Sequence, residues 1–134
     1  MKIYFNIPGK VQAKQRPRFT GKFVYTPKQT VEYENWIKTC FLDKYRGMQP
    51  FENPLKVKII AYYEIPKSTS KKKEAEMLQE NISPTKKPDA DNIIKIVLDA
   101  MNKFAFNDDT QVTKLEIEKK YDKAPRIYIR IEEY

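Results

Sequence analysis

The chain has no histidine and a single cysteine, Cys40. Without histidine, Ser-His-Asp and Cys-His activation of a nucleophile are excluded, and so is a histidine general base. One cysteine excludes an internal disulfide and any zinc site built from several thiolates. No apolar run approaches the ~20 residues that span a bilayer, and the N-terminus shows no signal-peptide pattern, so a soluble, cytoplasmic protein without a membrane partner is expected. No internal repeat or long polar tract interrupts the 134 residues. A chain of that length is expected to form one domain, 1–134, burying roughly 68% of its unfolded surface. Acid is also missing from residues 1–31, which carry Lys2, Lys10, Lys14, Arg16, Arg18, Lys22 and Lys28.

What remains for chemistry is carboxylates, lysines and tyrosines. Carboxylates alone suit hard cations such as Mg²⁺ or Mn²⁺, and no organic cofactor is implied. The formal charge is +8, and the acid-free N-terminal segment reads either as an electrostatic footprint for a polyanion or as a solvated basic surface.

Period-two alternation predicts strands over residues 3–7 and over 55–65, where Leu55, Val57, Ile59, Ala61, Tyr63 and Ile65 share one face. The run "RPRFTGKFVYT" predicts a short hairpin around Thr20-Gly21-Lys22. A helix follows, with Thr26 as N-cap, Pro27 in the first position, Gln29 completing a capping box and Gly47 ending it. Its helically spaced Tyr33, Trp36, Ile37, Cys40, Phe41 and Tyr45 are expected in the core, Trp36 included rather than serving as a base-stacking platform. Residues 66–88 are rich in proline, serine and lysine, and read as a mobile excursion with a short polar helix at 71–80. A second helix is expected from Asp91 to Met101, with Ile93, Val97, Ala100 and Phe104 facing inward. Two alternating strands close the chain, with "DKAP" at 122–125 turning between them. The predicted class is α+β, a mixed or antiparallel sheet packed against two or three helices.

Against this basic background, acids concentrate in two places. "PDADNIIKIVLDA" puts Asp89 and Asp91 at the start of a helix, with Lys95 and Asp99 spaced four residues on. These residues either cap the helix and form a ladder of exposed ion pairs, or hold a metal ion. "FNDDTQV" then places Asp108 and Asp109 together, which is more than a turn requires. An EF-hand is a poor fit, because a loop starting at Asp89 would put Ile94 where the turn glycine belongs. Two acidic pairs facing each other would repel without a cation between them. In a histidine-free basic protein that combination suits phosphodiester hydrolysis assisted by a divalent metal.

The residues Asp89, Asp91, Asn92, Lys95, Asp99, Ala100 and Met101, followed by Asp108, Asp109 and Val112, match the pattern D-x-D-N-x-x-K-x-x-x-D-A-[LM], then D-D-x-x-V. In this the chain resembles the RusA family of Holliday-junction resolvases, small homodimeric nucleases common in prophages. The N-terminal strand and the Arg-Pro-Arg segment fall in the same order as in that family. The resemblance implies that Asp89, Asp91 and Asp109 are catalytic, metal-binding acids, that Asp108 is a further candidate ligand, and that Lys95 is needed for cleavage. It also implies a homodimer cutting four-way DNA junctions with Mg²⁺, Mn²⁺ being a possible substitute. Lys14, Arg16 and Arg18, with Lys71, Lys72, Lys73, Lys86 and Lys87, are the candidate contacts to DNA phosphates. Alternatives are a non-catalytic nucleic-acid-binding protein whose aspartates only cap and brace, and a metal-dependent nuclease acting on flaps or RNA. The acids could meet within one chain, since residues 102–109 are long enough to return along the helix, or across a dimer axis.

Overall fold

The computed structural model describes residues 1–13 and 17–134, so the expected phosphate contacts Lys14 and Arg16 lie outside the described residues. In chain order the elements are β1 (Lys2–Pro8), β2 (Arg18–Phe19), β3 (Val24–Tyr25), α1 (Lys28–Tyr45), β4 (Leu55–Glu64), α2 (Lys71–Leu78), α3 (Ala90–Met101), a 3-10 turn (Asp109–Gln111), β5 (Val112–Asp122) and β6 (Arg126–Glu133). β2 and β3 pair antiparallel as the expected hairpin, with Gly21 at φ +97°, a conformation that favours glycine. The other strands form one mixed sheet in the order β1-β6-β4-β5.

Alternation sets the register. Ile3, Ile131 and Val57 lie side by side across β1, β6 and β4; so do Phe5, Ile129 and Ile59, and Ile7, Ile127 and Ala61. All of these are buried, because one face of the sheet is covered by helices. On α1 the buried hydrophobic side chains are Tyr33, Ile37 and Phe41, one turn apart, and Phe41 meets Phe5 edge-on with ring centroids 5.7 Å apart. On α3 they are Ile93, Ile96, Val97, Ala100 and Met101. Along the opposite face of β4 and β5, Lys56 and Lys58 reach Glu116 at 3.6 and 3.8 Å, and Lys120 reaches Glu118 at 3.2 Å.

Three expectations are corrected. The N-cap of α1 is Pro27 with no side-chain cap bond, in place of the Thr26 capping box; the Pro27 carbonyl instead accepts from Thr30 N–H at 3.1 Å. Trp36 is 42% exposed, because it lies at the edge of the Tyr33–Ile37–Phe41 stripe. Phe104 is exposed beneath the Lys38 ammonium, since α3 stops at Met101 and Lys103 turns the chain at φ +73°. The 122–125 turn connects β5 to β6 as expected, although β4 lies between these two strands in the sheet. β5 runs parallel to β4, and a parallel partner can only be reached by a crossover, here through α3. The 66–88 segment contains α2, whose N-cap Ser70 accepts from Lys73 N–H at 3.2 Å. No helix among the described residues is long and apolar enough to cross a membrane.

Ile129 is fully buried in a central strand between Phe5 and Ile59. Ile129→Ala is expected to lower unfolding free energy in urea by about 2–5 kcal/mol. Leu115→Ala, on the outer strand and 40% exposed, should cost less than about 1 kcal/mol in the same assay.

Candidate active site

The segment leading into α3 is tied to the sheet from two strands. Tyr63 Oη donates to the Pro88 carbonyl at 2.8 Å, and Lys119 Nζ donates to the Lys86 carbonyl at 2.6 Å. These contacts present Asp89 at the N-cap and Asp91 in the first turn of α3. The positive end of the helix dipole favours both carboxylates there. Yet Asp89 makes no side-chain cap bond. Among the described residues Asp89, Asp91 and Lys95 have no side-chain hydrogen bond or ion pair, and all are exposed, so the Asp91–Lys95 rung of the expected ladder is not formed.

At the other end of α3 the second acidic pair divides its labour. Asp108 accepts from Thr110 N–H at 3.2 Å and Thr110 Oγ1–H at 2.6 Å, bonds that hold its carboxyl below the usual carboxylate range. Gln111 buckles the loop to the chain before β4. Its Oε1 accepts from Asn107 and Asp108 N–H at 2.8 and 2.9 Å, and its Nε2 donates to the Phe51 and Asn53 carbonyls at 2.8 and 3.1 Å. Asp108 and Gln111 thus form a reciprocal capping box. Asp109 is exposed, and among the described residues its carboxylate has no partner.

The two pairs do not meet within the chain. Asp89 and Asp91 lie beside Tyr63, at the far end of β4, whereas Asp108 and Asp109 precede Val112, which pairs with Leu55 at its start. Between them stands α3, 12 residues long, or about 18 Å. Residues 102–109 do not return along the helix. Among the described residues no group of three or more acidic or thiol side chains is close enough to hold a metal ion.

Beside Asp89 opens a groove of about 890 Å³, whose lining includes Lys10, Gln12, Trp36, Lys87 and Asn92. Of the expected phosphate contacts, Lys87 lines this groove. Lys86 lies nearby in sequence with its ammonium 5.6 Å from the Tyr121 ring centroid. Lys71, Lys72 and Lys73 are exposed on the first turn of α2, and Arg18 is exposed on the β2–β3 hairpin; none of these four lines the groove. Tyr63, Lys119 and Gln111 brace the candidate site and Lys10 lines the groove, none of them expected there from sequence; Trp36, expected in the core, lines the groove as well. Only Gln111 carried a local signal, the Asp108-x-x-Gln111 capping spacing.

The model of the endodeoxyribonuclease RusA family matches residues 8–132, nearly the whole chain. This chain belongs to the RusA family. It is also 32% identical over 136 residues to "Uncharacterized protein YqaN" of Bacillus subtilis (strain 168), covering 98% of this chain and 96% of that protein. RusA proteins are endodeoxyribonucleases, so the carboxylates at the two ends of α3 belong to a chain of a nuclease family.

Burial, and then the charge of Asp89, pushes the Tyr63 phenol up from 10.0 to about 12. Burial pushes Tyr33 up to about 12 as well. A folded-state pKa above the unfolded value favours the protonated native form, so this stability is complete below pH 10 and is lost as pH rises toward 12. The melting temperature should therefore fall across that interval, less steeply for Tyr63→Phe. The phenolate absorbance titration of Tyr63→Phe, subtracted from that of the parent, isolates Tyr63 among the nine tyrosines, and its midpoint should be lower in an Asp89→Asn background.

Proposed function

We propose that this chain is a structure-selective endodeoxyribonuclease that resolves four-way DNA junctions by paired, symmetric nicks, acting as a homodimer. One observation carries the reading: Asp89, Asp91 and Asp109 are exposed and, among the described residues, without side-chain partners, in a chain of formal charge +8. With cationic groups in excess, carboxylates kept out of ion pairs are available to a cation or a water. A binding protein whose aspartates merely cap and brace would need Asp89 to accept from the helix, and it does not.

The donor set suits a hard divalent cation, being carboxylate oxygen only. Asp89 and Asp91 of one copy with Asp109 of a second would hold Mg²⁺, or Mn²⁺ in its place. When bound, the ion would neutralise charge on the scissile phosphate and acidify a water for in-line attack. The residues of the chain do the rest. Lys95, one turn beyond Asp91 on the exposed side of α3, would offer an ammonium to the charge that develops on the phosphate oxygens. Tyr63 and Lys119 fix the backbone that carries Asp89, and Gln111 fixes the loop that carries Asp109. Asp108 accepts from Thr110, which favours Asp109 as the ligand of that pair in this reading.

A two-fold axis would set the Asp89 end of one α3 against the Asp109 end of the other, and by symmetry the reverse. Such a dimer has two equivalent sites, matching the approximate two-fold symmetry of a four-way junction. Arg18, Lys71, Lys72, Lys73, Lys86 and Lys87, together with Lys14 and Arg16, supply sequence-independent, salt-sensitive affinity for phosphates.

Incubated with a synthetic mobile junction, the protein is expected to give paired symmetric nicks only with Mg²⁺ or Mn²⁺, leaving a linear duplex intact. Asp91→Asn should bind the junction at least as tightly as wild type and cut it at least about a hundredfold more slowly. Binding without cleavage by wild type in either metal would contradict the proposal.

A further inference from the structure

Trp36 is the only tryptophan in the chain, and it faces the groove beside Asp89 rather than the core. Its one polar atom is already engaged: Nε1–H donates to the Pro8 carbonyl at 2.8 Å. That bond clamps the indole between α1 and the end of β1, so what the residue offers the groove is an oriented, apolar π surface, 42% exposed. Leaving so large an apolar ring in water is unfavourable unless something covers it. Lys10 and Lys87 line the same groove with Gln12 and Asn92, and so do two acids, Asp89 and Glu32, the latter paired with Lys28 at 3.7 Å. An aromatic platform, cations at the rim and amide groups between them are the components that hold a nucleotide: ring for base, ammonium for phosphate, amide for base edge.

We propose that this groove is a nucleotide subsite in which the Trp36 indole stacks an unpaired base of the DNA strand running past Asp89. A base within a duplex has both faces covered by its neighbours, so only an unstacked base can offer one to the indole. The volume of about 890 Å³ accommodates a base with its sugar. The proposal rests on the nuclease reading for the identity of the strand: a base beside the phosphate to be cut would leave the stack at the branch point to reach the indole. Stacking would then fix that phosphate relative to Asp89, making Trp36 a positioning residue.

The single tryptophan makes the test direct, because all indole emission comes from Trp36. In metal-free buffer, where nothing is cut, a labelled single-stranded oligothymidylate is titrated with wild-type protein while anisotropy reports binding. Indole emission is expected to be quenched saturably along the same curve, and a blunt duplex of equal length to bind with little quenching. Trp36→Leu should weaken single-strand binding about tenfold, with Trp36→Phe, which keeps a ring, within about threefold of wild type. Saturating anisotropy with unchanged emission would overturn the proposal, and so would wild-type single-strand affinity in Trp36→Leu. Should Trp36→Leu fail to fold, wild-type emission and Trp36→Phe still decide. Asp89→Asn should keep the quench, so wild type that quenches yet cuts no junction would remove the nuclease reading and leave the stacking subsite standing.

Discussion

Parallel pairing of β4 with β5 is the constraint from which the rest follows. An antiparallel partner could have been reached by a tight turn; a parallel one obliges the chain to travel back along the full strand before pairing. α3 makes that journey, burying Ile93, Ile96, Val97, Ala100 and Met101 under the sheet. Its direction is therefore opposite to that of β4, and whatever flanks it is set at opposite edges of the molecule. Asp89 and Asp91 precede it; Asp108 and Asp109 follow it. The separation of the acids is thus a property of topology, not of a loop that could close.

Charge is handled differently in different parts of the fold. On β5, Glu116 and Glu118 pair with Lys56, Lys58 and Lys120, and Asp122 meets Arg126 at 2.6 Å. Exposed pairs of this kind contribute little individually, though they keep strand acids matched to strand bases. At the ends of α3 the pattern changes. There the backbone is firmly tethered, by Tyr63, Lys119 and Gln111, while Asp89, Asp91 and Asp109 are left without side-chain partners among the described residues. Rigid support under unpaired charge is the arrangement that a site needs if it is to bind a cation without reorganising.

Much of this was legible in the chain. Apolar alternation marked β1, β4 and β6, helical spacing marked α1 and α3, and residues 88–112 carried the resemblance to the RusA family that the match over residues 8–132 bears out. What escaped was long-range or marginal in energy. The insertion of β4 between β5 and β6 leaves no local trace, because the 122–125 turn reads alike whether it joins neighbours or skips a strand. Trp36 sits one helical position from buried Ile37, and spacing alone does not separate the edge of an apolar stripe from its centre. Thr26 had the composition of a cap, but Pro27 took the position. Nor does spacing show that Asp108 is braced by a hydroxyl two residues away, Thr110, while Asp109 is not.

The central claim is that Asp89 and Asp109 act together only across two copies of the chain. It is tested most directly by mixing Asp89→Asn with Asp109→Asn, each inactive alone, allowing subunits to exchange, and assaying junction nicking with Mg²⁺. Each mixed dimer would hold one doubly altered site and one intact site. The account predicts recovery of single nicks at about a quarter of the wild-type site count, without paired resolution. No recovery after verified exchange would contradict it, as it would mean that both acids serve the same copy.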